Sequence, residues 1–256
     1  MLVATWNVNS VKARLPNIIR WIGLAQPDVL LLQETKTLDV SFPRMELEDL
    51  GYNIQTHGQK SYNGVAILSK YPIEDTSPGL PGNEDDDQAR YLECFTSNIR
   101  IGCIYLPNGN PADGPKYSYK IKWMEYLYSH AKTLLSYDEP VILGGDFNVI
   151  PSEGDVYDPE NWKNDALYRI ETREAFQAII NLGYTEAFRA LNRETGLYSF
   201  WDYQKGRFHR DEGLRIDHFL LSPEATDRLK SCIIDRAPRA WERASDHVPV
   251  ICEILD

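Results

Sequence analysis

The stretch Pro140–Pro151, PVILGGDFNVIP, decides how this chain is read. Val141, Ile142 and Leu143 form a short, continuous apolar run, as expected of a strand covered by other layers. Gly144 and Gly145 read as its end, where backbone must pass close to a bound group. Beyond them stand Asp146 and Asn148, with only Phe147 between. A carboxylate and an amide add nothing to an apolar core, so their placement at a strand end points to chemistry.

The same pattern recurs along the chain. LVATWNVNS carries Asn7 and Asn9 at its end, VLLLQETK carries Glu34, and IGCIYLPNG carries Tyr105 and Asn108. LRIDHFLLS offers Asp217, and ERASDHVPVIC offers Asp246 and His247 just before a strand. Any one of these has a bland explanation, because polar residues at strand ends commonly form turns or cap helices. A lone Asp-His pair is more often a surface hydrogen bond than a dyad. Taken together they are harder to dismiss: strand ends on one edge of a sandwich converge, so these groups can share one cleft.

The apolar periodicity supplies the scaffold. Residues 2–8 read as a strand, Val11–Ala25 as a helix with Pro16 marking a boundary in its first turn, and DVLLLQE as a second buried strand. PRMELEDLG reads as a helix stopped by Gly51. Strands follow at Asn53–Thr56, Gly64–Leu68, Tyr91–Thr96, Ile99–Tyr105 and Val141–Asp146, with a long helix over Tyr117–Tyr137. Residues 151–170 read as a polar loop and Glu171–Leu182 as a helix closed by Gly183. Strands at Arg215–Leu221, Ser231–Asp235 and Val248–Ile254, with a helix over Pro223–Leu229, complete the chain. Strands outnumber helices, and several lie too close in sequence for helical crossovers. An α/β sandwich of two packed sheets with outer helices is therefore predicted, rather than a doubly wound sheet. No linker or repeat divides residues 1–256, so one domain is expected.

Composition narrows the function. Hydrophobic residues make up 43% and charged residues 25%, ordinary values for a globular domain of 256 residues. The formal net charge of −11 discourages indiscriminate binding to a polyanion, so nucleic acid must be met by a local basic patch or by metal ions. Cys94, Cys103, Cys232 and Cys252 show no Cys-x-x-Cys spacing and read as buried free thiols rather than a disulfide set or zinc site. No basic leader, apolar signal or membrane-length run is present, so a cytoplasmic location with no membrane partner is expected. Carboxylates and amide oxygens are hard ligands suited to Mg²⁺ or Mn²⁺. No Gly-x-x-x-x-Gly-Lys-Ser/Thr loop supports nucleotide-driven phosphoryl transfer. Phosphodiester hydrolysis fits the inventory, since it needs a base for water, positive charge for the transition state and help for the leaving oxygen.

TWNVNS, LQETK, GQKSYNGVAILSK, YLPNG, LGGDFNV, SFWDY, GLRIDHFLLS and SDHVPV closely resemble the exonuclease III / apurinic-apyrimidinic (AP) endonuclease family, in order and across nearly the whole chain. The resemblance implies a four-layered α/β sandwich, two packed mixed sheets flanked by helices. It implies a Mg²⁺-dependent DNA repair enzyme, with Mn²⁺ able to substitute, acting on double-stranded DNA at abasic sites, nicks or 3′ ends. It makes Glu34 the principal metal ligand with Asn7 and Asn9 beside it, and Asp246 a further candidate. Asp146 would orient or deprotonate the attacking water, Asn148 would support the phosphate, and Tyr105 and Asn108 would contact it. His247, paired with Asp217, would stabilise charge. A monomer is expected.

The substrate contacts are read more loosely. Phe200, Trp201, Leu214 and Ile216 resemble the apolar wall for a flipped base-less sugar or terminal nucleotide; for Trp201 a plain core role stands equally open. Lys60, Tyr62 and Asn63 on a hairpin loop, and Arg215 in a mildly basic region, are candidate DNA-backbone contacts. NEDDDQ, residues 83–88, reads as a solvent loop clear of DNA. Trp162, Leu167 and Tyr168 in the 151–170 segment are expected to narrow the cleft so that chain ends enter more readily than internal AP sites. The alternatives are a phosphatase or phosphodiesterase with a lipid, inositol phosphate or RNA substrate, and a catalytically silent DNA-binding module.

Overall fold

A computed structural model describes residues 1–255. In chain order its elements are β1 (Leu2–Asn7), α1 (Val11–Ala25), β2 (Val29–Gln33), α2 (Arg44–Glu48), β3 (Asn53–His57), β4 (Val65–Ser69) and β5 (Glu74–Pro78). Then come β6 (Tyr91–Thr96), β7 (Ile99–Tyr105), α3 (Pro115–Leu135), β8 (Val141–Asp146), α4 (Pro159–Trp162) and α5 (Ile170–Ile180). β9 (Thr185–Glu186), α6 (Ala187–Leu191), β10 (Asp217–Leu221), α7 (Pro223–Thr226), β11 (Leu229–Ile234) and β12 (Val250–Ile254) follow.

The strands form two six-stranded mixed sheets, ordered β11-β12-β1-β2-β4-β3 and β5-β6-β7-β8-β10-β9. Each sheet has one parallel pair at its centre, β1 with β2 and β7 with β8, and antiparallel pairs outside it. The apolar runs are continuous because both faces of each sheet are covered. In β2, Val29 and Leu31 face the second sheet, where they meet Leu92, Ile101, Ile142 and Phe219. Leu30 and Leu32 face outward under α1 with Trp6, Ile18 and Trp21. On the far side Trp123 and Leu127 of α3 and Phe176 of α5 cover Leu143 and Leu220. Helix, sheet, sheet, helix: the four predicted layers are present.

Several local expectations are corrected. α1 runs from Val11 straight through Pro16, whose ring falls in the second turn rather than at a boundary. The glycine pair does not end β8, which continues to Asp146. A side chain at Gly145 would strike the Ile104 carbonyl at 1.9 Å, and one at Gly144 would strike the Phe219 ring at 2.4 Å. Both neighbours belong to strands that flank β8 in its own sheet, and Gly144 also leaves room for Leu31 of the other sheet, 2.9 Å from where a side chain would stand. The glycines serve packing around β8, not a bound group. Residues 151–170 are not a plain polar loop: Ile150, Val156, Ala166, Leu167 and Tyr168 pack with Leu214 and Ile216 as a satellite core.

Candidate active site

Because β1, β2, β7 and β8 run the same way within their sheets, their C-terminal ends deliver side chains to one edge. β10, antiparallel to β8, starts there, and Tyr105, Asp146 and Asp217 stand side by side in register. Asp246 and His247 arrive just before β12, which pairs antiparallel with β1. Residues at this edge adopt left-handed backbone, among them Asn9 (φ 45), Glu34 (φ 52), Lys36 (φ 53) and Asn148 (φ 47). Such conformations cost about 1–3 kcal/mol each and collect where geometry serves function.

The amide of Asn7 separates two carboxylates, donating to Glu34 Oε1 at 2.8 Å and to Asp146 Oδ2 at 2.9 Å. Its Oδ1 accepts the Asn9 backbone N–H at 3.0 Å. Asn7 therefore brings N–H groups to the cluster and spaces its two carboxylates, with its own oxygen turned to the Asn9 backbone. Tyr105 donates to Glu34 Oε1 at 3.0 Å. Asn9 donates to Asp246 Oδ1 at 3.1 Å and offers its own Oδ1 to the Lys36 ammonium at 2.6 Å. Asp146 Oδ1 accepts the Asn148 N–H at 2.9 Å, and Asn108 donates to Asn148 Oδ1 at 3.1 Å. His247 donates from Nδ1 to Asp217 Oδ2 at 2.9 Å while Ser199 donates to the same oxygen at 2.6 Å. The other imidazole nitrogen of His247 lies 3.7 Å from Asp146 Oδ2.

These contacts set charge. Burial opposes a positive His247, but Asp217 and Asp146 outweigh it and push the imidazole up to about 10. Burial pushes Asp146 up to about 7, against the pull of His247 and with the help of the Asp217 charge. Burial also works against ionised Glu34, yet the Lys36 ammonium and the Asn7 amide hold it below its ordinary value. Burial together with Glu34 and Asp146 pushes the Tyr105 phenol well up, so it is a neutral donor.

Glu34, Asp146 and His247 lie close enough to share one ion. An imidazolium cannot donate a lone pair to a metal, so His247 is better assigned to charge stabilisation. Glu34 Oε2, 2.7 Å from Lys36 Nζ, and Asn9 Oδ1 already share one cation, the Lys36 ammonium. Hard oxygens arranged around a positive charge fit a divalent cation, with Asp146 and Asp246 beside them.

The cluster opens into a cavity of about 340 Å³. Phe200, Leu214 and Ile216 line it together with Trp162, Leu167, Arg207 and Glu212, and the Phe200 ring packs 4.9 Å from that of His247. Trp201 is fully buried against Tyr198 and Val248, its indole N–H on Asp211 at 3.1 Å. It is core, and its assignment to the pocket wall is corrected. Arg215 is corrected as well. Its guanidinium is 1% exposed and bound to Asp155 at 2.7 Å and Glu186 at 2.9 Å, out of reach of DNA. Lys60 and Tyr62 are exposed on the β3–β4 loop, where a backbone contact is feasible. Asn63 is buried and holds Gln59 and Gln88, which makes it a brace of that loop rather than a DNA contact. Tyr168 lies behind the wall that Trp162 and Leu167 form.

Sequence reasoning passed over several residues that the fold brings here. Lys36 sits two residues from Glu34 and is drawn back by the left-handed turn. Ser199, inside SFWDY, fixes Asp217. Arg90 stacks over the Tyr105 ring at 4.8 Å and donates to the Tyr105 carbonyl at 3.3 Å; nothing in AR-YLEC marks it. Arg207 and Glu212 come from a segment whose composition suggested only a mild basic bias.

The sequence profile of the Endonuclease/Exonuclease/phosphatase family matches residues 4–247. The chain is 32% identical to exodeoxyribonuclease III of Haemophilus influenzae over 265 residues, 99% of each chain. Its structure is similar to that of an AP endonuclease from Archaeoglobus fulgidus (TM-score 0.94, 34% identity, 99% of each chain). It is similar also to that of the 3′ phosphatase NExo from Neisseria bound to product DNA hairpin (TM-score 0.97, 38% identity, 99% of each chain). With its carboxylate, amide and imidazolium cluster at the shared strand edge, the chain belongs to the endonuclease/exonuclease/phosphatase family, in its exodeoxyribonuclease III and AP endonuclease branch, and is a metal-dependent phosphodiester hydrolase.

Proposed function

We propose that this enzyme is a Mg²⁺-dependent DNA repair nuclease that acts chiefly at 3′ ends of duplex DNA, at nicks and termini, and incises internal AP sites less well. Glu34 and the Asn9 oxygen, with Asp246 adjacent, would hold the ion. When bound, it supplies positive charge to the phosphate and to the departing oxygen. Asp146 accepts the proton of the water that attacks phosphorus, and the bond from phosphorus to the departing O3′ breaks. His247, kept charged by Asp217, donates to the phosphate oxygens as negative charge builds on them. Asn148 and Asn108 present amides to the same oxygens, and Tyr105 orients Glu34.

The observation that carries the 3′-end preference is the wall of Trp162 and Leu167 beside His247 and Phe200. On this reading these side chains narrow the cavity, so that a chain end enters more readily than an internal strand. The likeness to a 3′ phosphatase supports this reading, although the likeness to an AP endonuclease keeps AP incision as the competing activity. The test compares removal of a 3′-phosphate at a nick with incision of a duplex carrying an internal AP site. Faster 3′-phosphate removal is expected, and AP incision at an equal or greater rate would overturn it. Turnover that survives EDTA would remove the metal from the reaction altogether. Loss in EDTA and recovery with Mg²⁺ or Mn²⁺ separates an enzyme from a silent binder.

A further inference from the structure

Lys120 projects from α3 with its side chain fully buried. Among the described residues no carboxylate forms an ion pair with it. Its ammonium instead donates to three main-chain carbonyls: Asn108 at 3.1 Å, Asn148 at 2.6 Å and Ala166 at 3.0 Å. These belong to the loop after β7, the loop after β8 and the segment that carries Leu167. Burial pushes the group down to about 7 while Asp165 and Asp146 pull the other way. Only the ammonium form has the three donors needed to satisfy all three acceptors.

The surroundings are fitted to this side chain. Gly109 passes over it with φ +89, and a side chain there would meet Lys120 Cδ at 2.7 Å and Ala166 Cβ at 3.2 Å. Ala166 O takes a second bond from Thr172 at 2.8 Å. Asn108 and Asn148 are further joined by their own amides at 3.1 Å, and Asn148 holds a left-handed backbone. A buried cation is expensive unless its hydrogen bonds are fully met. Here they are met by three carbonyls, two of them from Asn108 and Asn148, the residues whose amides are proposed to serve the phosphate.

We propose that Lys120 is a positioning residue: from behind the site, one ammonium locks the Asn108 and Asn148 loops and the Leu167 segment into a single arrangement without itself touching the phosphate. It rests on the reading that the two asparagines serve the phosphate. Lys120→Met removes all three donors and Lys120→Arg keeps the charge but redistributes them. Leu127→Ala, two turns further along the same face of the helix, is the control for loss of packing alone.

Each variant is assayed by thermal unfolding and by kcat and KM, on whichever of the nicked 3′-phosphate and internal AP duplexes the unmodified enzyme turns over faster. For folded Lys120→Met, kcat is expected to fall at least tenfold with KM changed less than about threefold. Lys120→Arg should fall between it and the unmodified enzyme, and Leu127→Ala should lose stability with kcat nearly intact. Should Lys120→Met fail to fold, Lys120→Arg carries the comparison. The proposal is overturned by a kcat within twofold of normal in the folded variant, or by an equal loss in Leu127→Ala. Asn148→Ala is measured alongside. If it too turns over normally, the asparagine's own role fails; if it is slow while Lys120→Met is normal, positioning alone fails.

Discussion

Asp146 and His247 are 3.7 Å apart, and each sets the charge of the other. A base is most effective when its pKa lies near the working pH, and an ionic stabiliser must stay charged across that range. Asp146, pushed up to about 7, and His247, pushed up to about 10, satisfy both conditions. Asp146→Asn and His247→Ala should each lower kcat on the order of 10²-fold or more while the thermal midpoint changes little; near-normal turnover in either would remove the role given to it. The pH profile carries a sign. Asp146 works as the carboxylate, so kcat/KM should rise as pH passes up through its pKa, and it should fall again as pH approaches 10 and His247 loses its proton. A profile flat from about pH 5 to 8 would exclude Asp146 as the base. Glu34→Gln should chiefly raise the Mg²⁺ or Mn²⁺ concentration that gives half-maximal rate. An unchanged requirement would take Glu34 out of the ion's reach.

At the scale of elements, the 151–170 segment, β9 and β10 are tied by one buried ion cluster. Arg215 binds Asp155 and Glu186, and Arg189 reaches Asp155 at 2.5 Å. Burial alone would push both carboxyls up, but the Arg215 guanidinium reverses this and holds each at about 2. Their folded-state values lie below the unfolded ones of about 3.9 for Asp and 4.3 for Glu. Their contribution to stability is therefore complete above about pH 5 and is lost as pH falls toward 2. Arg215→Met would leave the buried Glu186 without its guanidinium and Asp155 with Arg189 alone, at a cost of about 3–5 kcal/mol. Urea unfolding at neutral pH should show that loss, and the gap between variant and parent should shrink as pH is lowered from 5 to 3. A gap independent of pH would mean that packing, not charge, holds the cluster. The same cluster shows where sequence reading stops. A positive residue in a basic-looking stretch gives no sign of which way it points, so Arg215 looked like a DNA contact. Trp201 gave no sign either, because an aromatic in SFWDY suits a pocket and a core alike. β5 was missed because all its residues are exposed and carry no apolar alternation, whereas β2 and β8 declare themselves through runs buried on both faces.

At the scale of the whole molecule, what could be read in advance was the layer order and the shared edge, because both follow from strand ends and apolar runs. What could not be read was how distant segments meet. The N-terminal ammonium donates to the Ile254 carbonyl at 2.6 Å, and β12 lies between β1 and the edge strand β11. Asn7 at one end of the chain and His247 near the other are therefore placed by neighbouring strands. This makes the two ends of the chain a structural joint, while the Glu84–Asp85 turn is exposed and far from any strand pairing. Chain order should then matter less than strand order. A circular permutant that joins the ends through a short Gly/Ser linker and opens between Glu84 and Asp85 keeps every sheet neighbour. It should unfold in one transition and retain 3′-phosphate turnover within about tenfold. Deleting residues 249–256 removes the strand between β11 and β1, frees two edges and leaves His247 without an anchor. That variant should show no cooperative unfolding and no turnover. An inactive, non-cooperative permutant beside a folded, active truncation would show that the site does not depend on this joint.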